Sequence, residues 1–237
     1  MELIWQGMLK AVELLFSGDR EIWAITWLSL KISGAATLIS LLLGIPLGIA
    51  LALLRFPGRG VIAALVNTGM GLPPVAVGLL ISIMLWRSGP LGHLEMIYTP
   101  GAMILAQVVI AFPIVAGLTM ATFQTLDPNL ALQLMGIGAS KLQTLWLLCK
   151  EARLPLLAAV MAGFGGVISE VGASMMVGGN IRGQTRVLTT ATVLETGKGN
   201  FEIAIALGLI LLTVCFLLNY FLTRVQQRGR IQWPNLS

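Results

Sequence analysis

Three polar islands in an apolar chain carry the side chains able to do work. The first runs from Asp127-Pro128 through Gly136-Ile137-Gly138-Ala139-Ser140-Lys141 to Glu151-Ala152-Arg153-Leu154-Pro155 and is the densest. Membrane-spanning segments can conduct a solute but hold no energy source, so a structured loop of this length is where a motor subunit would grip. The second island, Ser169-Glu170-Val171-Gly172-Ala173-Ser174, places a carboxylate inside an apolar stretch. An acid at that depth is expensive against lipid, so Glu170 must face protein or water and find a partner, with Ser169 and Ser174 offering hydroxyls to a polar seam. The third, Gly178-Gly179-Asn180-Ile181-Arg182-Gly183-Gln184-Thr185-Arg186, is glycine-rich and carries two arginines suited to attracting an oxyanion or docking a delivering protein.

The elements that must position these groups are membrane helices. Apolar residues make up 57% of the 237 and charged ones 11%, with a mean hydropathy of +0.89, outside the range of a water-soluble domain. Apolar blocks of about 20 residues cross roughly 30 Å of hydrocarbon and lack the alternation of a β-barrel. The pattern predicts an all-α integral membrane protein, one transmembrane domain over residues 1–237. Its five spans are expected near Ile32–Leu54, Val61–Trp86, Gly101–Thr125, Leu156–Val177 and Phe201–Thr223. Met1–Ser17 reads as an amphipathic helix at the interface, the leading part of an interfacial segment at 1–21, without the small-residue site of a cleaved signal.

Five spans put the termini on opposite faces. Of the 15 Lys and Arg, eight (Arg55, Arg59, Lys141, Lys150, Arg153, Arg224, Arg228 and Arg230) fall on one side and seven on the other. The short flanks at Arg55 and Arg59 and the tail at Arg224, Arg228 and Arg230 favour a cytoplasmic C-terminus and an external N-terminus. Trp23, Trp27 and Trp86 are headgroup anchors on the outer side. A net charge of +5 is explained by these flanks; the basic residues never interleave with aromatics as in a nucleic-acid surface. Cys149 and Cys215 have neither metal spacing nor a disulfide framework, and the lone His93 has no second ligand near it in sequence. A chain of this size with five spans hardly encloses a path alone, so a two-fold dimer is expected.

Each motif carries two readings. Pro46, Pro73, Pro74 and Pro113 fall within spans; they either line a gate or are ordinary membrane-helix prolines. Pro73-Pro74 after Gly69-Met70-Gly71 forces local unwinding. Around Glu170, small residues Gly163, Gly166 and Ala173 allow close backbone approach, so the stretch is either a translocation path or a packing seam held by one acid. Ionised Glu170 repels an anion and is not its ligand. Between Asn129 and Glu151 the apolar spacing predicts two short helices broken at Gly138-Ala139-Ser140, either a lever for a nucleotide-binding partner or a surface hairpin.

Gly138-Ala139-Ser140 with downstream Leu148 resembles the coupling loop of ABC importer permeases, although the glutamate that opens that pattern is missing from Ala131-Leu132-Gln133. Glu151-Ala152-Arg153-Leu154-Pro155, Ile168–Ala173, Val177–Ile181 and Leu188–Gly199 are similar to the tungstate permease family, relatives of molybdate and sulfate permeases. The resemblance implies a type I ABC importer permease in a prokaryotic cell membrane. It also implies a homodimer, a cytoplasmic ABC ATPase dimer on the loop at 126–155, and an extracytoplasmic substrate-binding protein. The site residues expected from these readings together are Gly138, Ala139, Ser140 and Lys141 for coupling. Ser169, Glu170, Gly172, Ser174, Pro73 and Pro74 are expected at the gate, and Asn180, Arg182 and Arg186 at the outer docking loop. No cofactor is expected in this chain, which has no Gly-rich Lys-Ser/Thr phosphate loop, so it is expected not to be an enzyme. An ion-coupled transporter with Glu170 as proton carrier, or a scaffold that conducts nothing, are the rival expectations.

Overall fold

The computed structural model describes residues 2–16 and 19–227; Met1, Ser17, Arg228 and Arg230, used above for the interfacial segment and the orientation, lie outside them. The described chain is all-helical. In order, α1 spans Glu2–Phe16, α2 Arg20–Leu53, α3 Arg59–Gly69 and α4 Pro74–Leu85. A 3-10 turn at Gly92–Leu94 leads to α5, Pro100–Gln124. Then follow α6 Pro128–Gly136, α7 Lys141–Glu151, α8 Arg153–Ile168, α9 Gly172–Gly178, α10 Leu188–Gly197 and α11 Phe201–Gln227. Among the described residues, α2, α5 and α11 are each long and apolar enough to span; the count reaches 5 if the bent pairs α3–α4 and α7–α8 are each one span.

The core is α2 against α5. Gly44 and Gly48 let the two backbones meet: a Cβ at Gly48 would stand 2.6 Å from the Ala116 carbonyl oxygen, and one at Gly44 2.9 Å from Val115 Cγ1. This is the close approach that small residues four apart permit in a membrane, where packing replaces the hydrophobic drive. Hydroxyls on α2 return to their own helix, Thr26 Oγ1 to the Ile22 carbonyl and Thr37 Oγ1 to that of Ser33, leaving few polar groups to satisfy elsewhere.

Several expectations are corrected. The first span begins at Arg20, not Ile32, because the Asp19 side chain accepts from the Glu21 and Ile22 amides and caps α2 there. Trp23 and Trp27 therefore lie inside the helix, and Arg20 and Glu21 belong to α2. At about 1.5 Å per residue, 34 residues exceed the hydrocarbon thickness by roughly 20 Å. α1 forms where an amphipathic helix was expected, but packs along α11, with Gly7 against Ile205. The second span bends by 106° between α3 and α4: two successive prolines lack amide donors, and Pro74 starts a new helix at its first position. The fourth span is not one helix but α8 and α9 separated by residues 169–171, and α8 itself meets α7 at 67°. The two short helices of the inner loop form as expected.

Candidate functional site

The broken helix around Glu170 is held open by its own side chains and by α10. Ser169 is exposed, and its Oγ bonds back to the Gly165 carbonyl at 2.8 Å. Partly buried Glu170 turns Oε1 onto the Ala173 amide at 2.9 Å, filling a donor in the first turn of α9. Thr189 of α10 donates Oγ1 to the Glu170 carbonyl at 3.0 Å. Three freed backbone positions thus find partners without the helix continuing.

The break expected at Pro73-Pro74 and the unexpected one at 169–171 meet in space. A Cβ at Gly172 would stand 2.5 Å from Val75 Cγ2, one residue beyond Pro74, and one at Gly78 would stand 2.6 Å from the Ala173 Cα. The structure therefore brings Pro73 and Pro74, at the head of α4, beside Gly172 and the break that carries Ser169 and Glu170. Ser174 is buried on α9 and receives Gln107 Nε2 of α5 at 3.4 Å. Gln107 was missed by sequence reasoning; the signal was available, since it is the sole amide side chain between Gly101 and Phe123. Thr189 was missed as a site residue as well, and Leu188–Gly199, noted for its family resemblance, was not read as carrying the helix α10.

The outer loop is folded on itself. Gly179, Asn180 and Gly183 have positive φ (68°, 53° and 75°), and Asn180 accepts that conformation while donating Nδ2 to the Thr190 carbonyl at 3.3 Å. Thr185 Oγ1 accepts from the Ile181 amide at 2.9 Å and donates to the Gly178 carbonyl. Arg182 grips the Glu21 carboxylate through Nε, at 2.8 Å, and through Nη2. The hydrogen bond and the charge of Glu21 raise the Arg182 pKa above its ordinary value. Arg186 Nη1 lies 3.7 Å from the same carboxylate. The two arginines flank a cavity of about 330 Å³ with Lys10, Glu195 and Lys198 on its other walls; Arg182 spends its fork within the chain.

At the opposite end of the bundle, α6 and α7 form a hairpin turned at Gly138, whose φ is +94°. The Ser140 side chain accepts from the Gln143 amide, and the Gln143 side chain accepts from the Ser140 amide at 2.8 Å, a reciprocal cap that starts α7 at Lys141. One face of α7 is buried: Leu148 packs with Phe123 and Ala152, joined by Ile49 and Ala52 of α2. The other is uncovered. Ile137 is 83% exposed, Leu142 77% and Trp146 62%, and a hollow of about 430 Å³ is lined by Ile137, Gly138, Ala139, Gln143, Trp146 and Leu147. His93 sits on the 3-10 turn, and among the described residues no three His, Cys, Asp or Glu side chains gather as a metal site.

Residues 44–231 match the family of the binding-protein-dependent transport system inner membrane component. Over 96% of its length the chain is 39% identical to the tungstate uptake system permease protein TupB of Peptoclostridium acidaminophilum, all of which is covered. It is also 39% identical to a probable anion ABC transporter permease protein of Haloferax volcanii, covering 86% of this chain and 90% of that one. The solved MetNI methionine ABC transporter, in an inward-facing conformation, superposes with a TM-score of 0.72 at 19% identity over 90% of this chain and 99% of the other, a likeness of fold.

Proposed function

The chain belongs to the family of binding-protein-dependent transport system inner membrane components, and from that membership we propose that it is the permease of an ATP-driven importer that carries tungstate, or a closely related oxyanion such as molybdate or sulfate, into the cytoplasm by alternating access. Two copies enclose the path. A pair of cytoplasmic ATPase subunits grips the hairpins, and an extracytoplasmic binding protein delivers the anion at the end holding Asn180, Arg182 and Arg186. The N-terminus faces outside and the C-terminus the cytoplasm. ATP is hydrolysed in the partner, and this chain holds no cofactor.

The observation that carries this reading is the uncovered apolar hairpin around Gly138 and its direct continuation through α8 to the broken helix. A surface bearing Ile137, Leu142 and Trp146 at these exposures is a partner surface. Lys141 lies at the start of the same helix, and Lys150 stands 5.4 Å over the Trp146 ring, giving the patch a basic rim. From α7 the chain passes through buried Ala152 directly into α8, which ends at the break. Displacing the hairpin therefore moves α8 as a body, and residues 169–171 absorb the motion as a hinge. Ser169, exposed at that hinge, reaches a passing anion by turning its hydroxyl away from the Gly165 carbonyl, while Glu170 keeps its carboxylate on its own helix.

The test is reconstitution with the ATPase and the binding protein in proteoliposomes. ATP-dependent uptake of tungstate is expected, and a screen of tungstate, molybdate and sulfate on the binding protein identifies the anion. Uptake driven by a proton gradient without the ATPase would replace this reading with an ion-coupled one; absence of flux would leave a scaffold.

A further inference from the structure

Gln107 is 3% exposed, in the middle of an apolar helix. Its Nε2 reaches Ser174 Oγ at 3.4 Å, and among the described residues nothing donates to its Oε1. A carboxamide in such a place is costly unless both ends are used, since a buried unpaired acceptor loses its hydration without return. Its side-chain partner is on α9, the short helix beyond the hinge, which is also held by the Glu170 cap, by Gly172 against Val75 and Ala173 against Gly78, by the Tyr98 amide on the Val177 carbonyl at 2.9 Å and by Thr185 on the Gly178 carbonyl. α9 has 7 residues and too few turns to hold itself, so its position depends on what it touches.

We infer that Gln107 is a positioning residue for transport: through Ser174 it ties α9 to α5 beside the hinge. This inference rests on the hinge reading above. α5, packed on α2, and α9 belong to the frame beyond the hinge, against which α8 moves.

The experiment uses the full complex of permease, ATPase and binding protein, with Cys149 and Cys215 replaced by serine and Val171→Cys, half-buried at the hinge, as a reporter. The alkylation rate of that cysteine without nucleotide reads how far α9 holds the hinge closed. The ratio of anion imported to ATP hydrolysed reads coupling. Gln107→Leu and Ser174→Ala each remove a hydrogen bond worth about 1 kcal/mol, or roughly fivefold in an equilibrium. Each should therefore raise the alkylation rate about fivefold and lower the import ratio, and the double variant should be no worse than either single. Ser174→Ala, a deletion of one oxygen, keeps the test open if Gln107→Leu does not assemble. Unchanged alkylation and coupling in Ser174→Ala, or multiplying effects in the double variant, overturn the inference. If the parent complex imports nothing, the proposed function falls, while alkylation still reports whether Gln107 holds α9.

Discussion

Gly138 separates two roles that a hairpin turn can have. Its φ of +94° lies where an L side chain is strained, yet a Cβ built there meets nothing within 4 Å. The whole penalty of Gly138→Ala is thus backbone strain, about 1–2 kcal/mol. The turn escapes that strain by swinging α6 against α7, which changes the shape of the uncovered patch without touching the Leu148–Phe123–Ala152 cluster. A cost of this size shifts the hairpin population about five- to thirtyfold. Gly136, two residues earlier, is the control: a Cβ there also meets nothing, its φ is not left-handed, and it ends α6. Gly136→Ala should be neutral or stabilise by about 0.5–1 kcal/mol. With ATPase and binding protein in liposomes, Gly138→Ala should cut the anion imported per ATP at least severalfold while thermal unfolding of the membrane portion stays put. Equal coupling in the two alanine variants would refute the assignment of this turn as the point where force enters.

Three further outcomes follow from particular contacts. Gly48→Ala forces a methyl within 2.6 Å of the Ala116 carbonyl oxygen and should destabilise the detergent-solubilised protein by about 1–3 kcal/mol, whereas Gly34→Ala, with nothing within 4 Å inside α2, should leave its melting temperature unchanged or raise it. Thr189→Val removes the hydroxyl that binds the Glu170 carbonyl; hydrogen exchange at residues 170–175 should quicken about fivefold, the loss of one hydrogen bond, with Thr189→Ser restoring protection. The Glu195 carboxyl is held below its ordinary value, first by the Asn200 amide and then by the Lys198 ammonium. Its contribution to stability is present above the ordinary carboxylate value and lost as pH falls through the lowered one. Asn200→Ala should flatten that acid limb slightly, since the group is close to solvent, as read from melting temperature against pH.

Features governed by neighbours in the chain were legible from the residues. The apolar blocks implied helices that satisfy their own backbone. Pro73-Pro74 implied the unwinding that became a bend, and Gly138 with Ser140 implied the hairpin turn, because a missing amide, a positive φ and a cap are each settled within a few residues. The break at 169–171 was not legible. No proline marks it, and the donors and acceptors it frees are satisfied by Glu170 and by Thr189, the latter 19 positions away. The destination of Arg182 was equally hidden, since its partner Glu21 lies 161 residues distant and the loop alone reads as free charge.

By itself the sequence determined that this is a helical membrane protein with a folded polar hairpin at one end and a proline break in its second span. Burial free energy and backbone hydrogen bonding are set by composition and local geometry. Only the tertiary structure decided that the two breaks abut through Gly172 and Val75, that α10 clamps the second, and that Gln107 reaches Ser174. Those pairings join groups far apart in the chain, and packing of α2 on α5 and α4 on α9 selects among the many partners that composition alone allows.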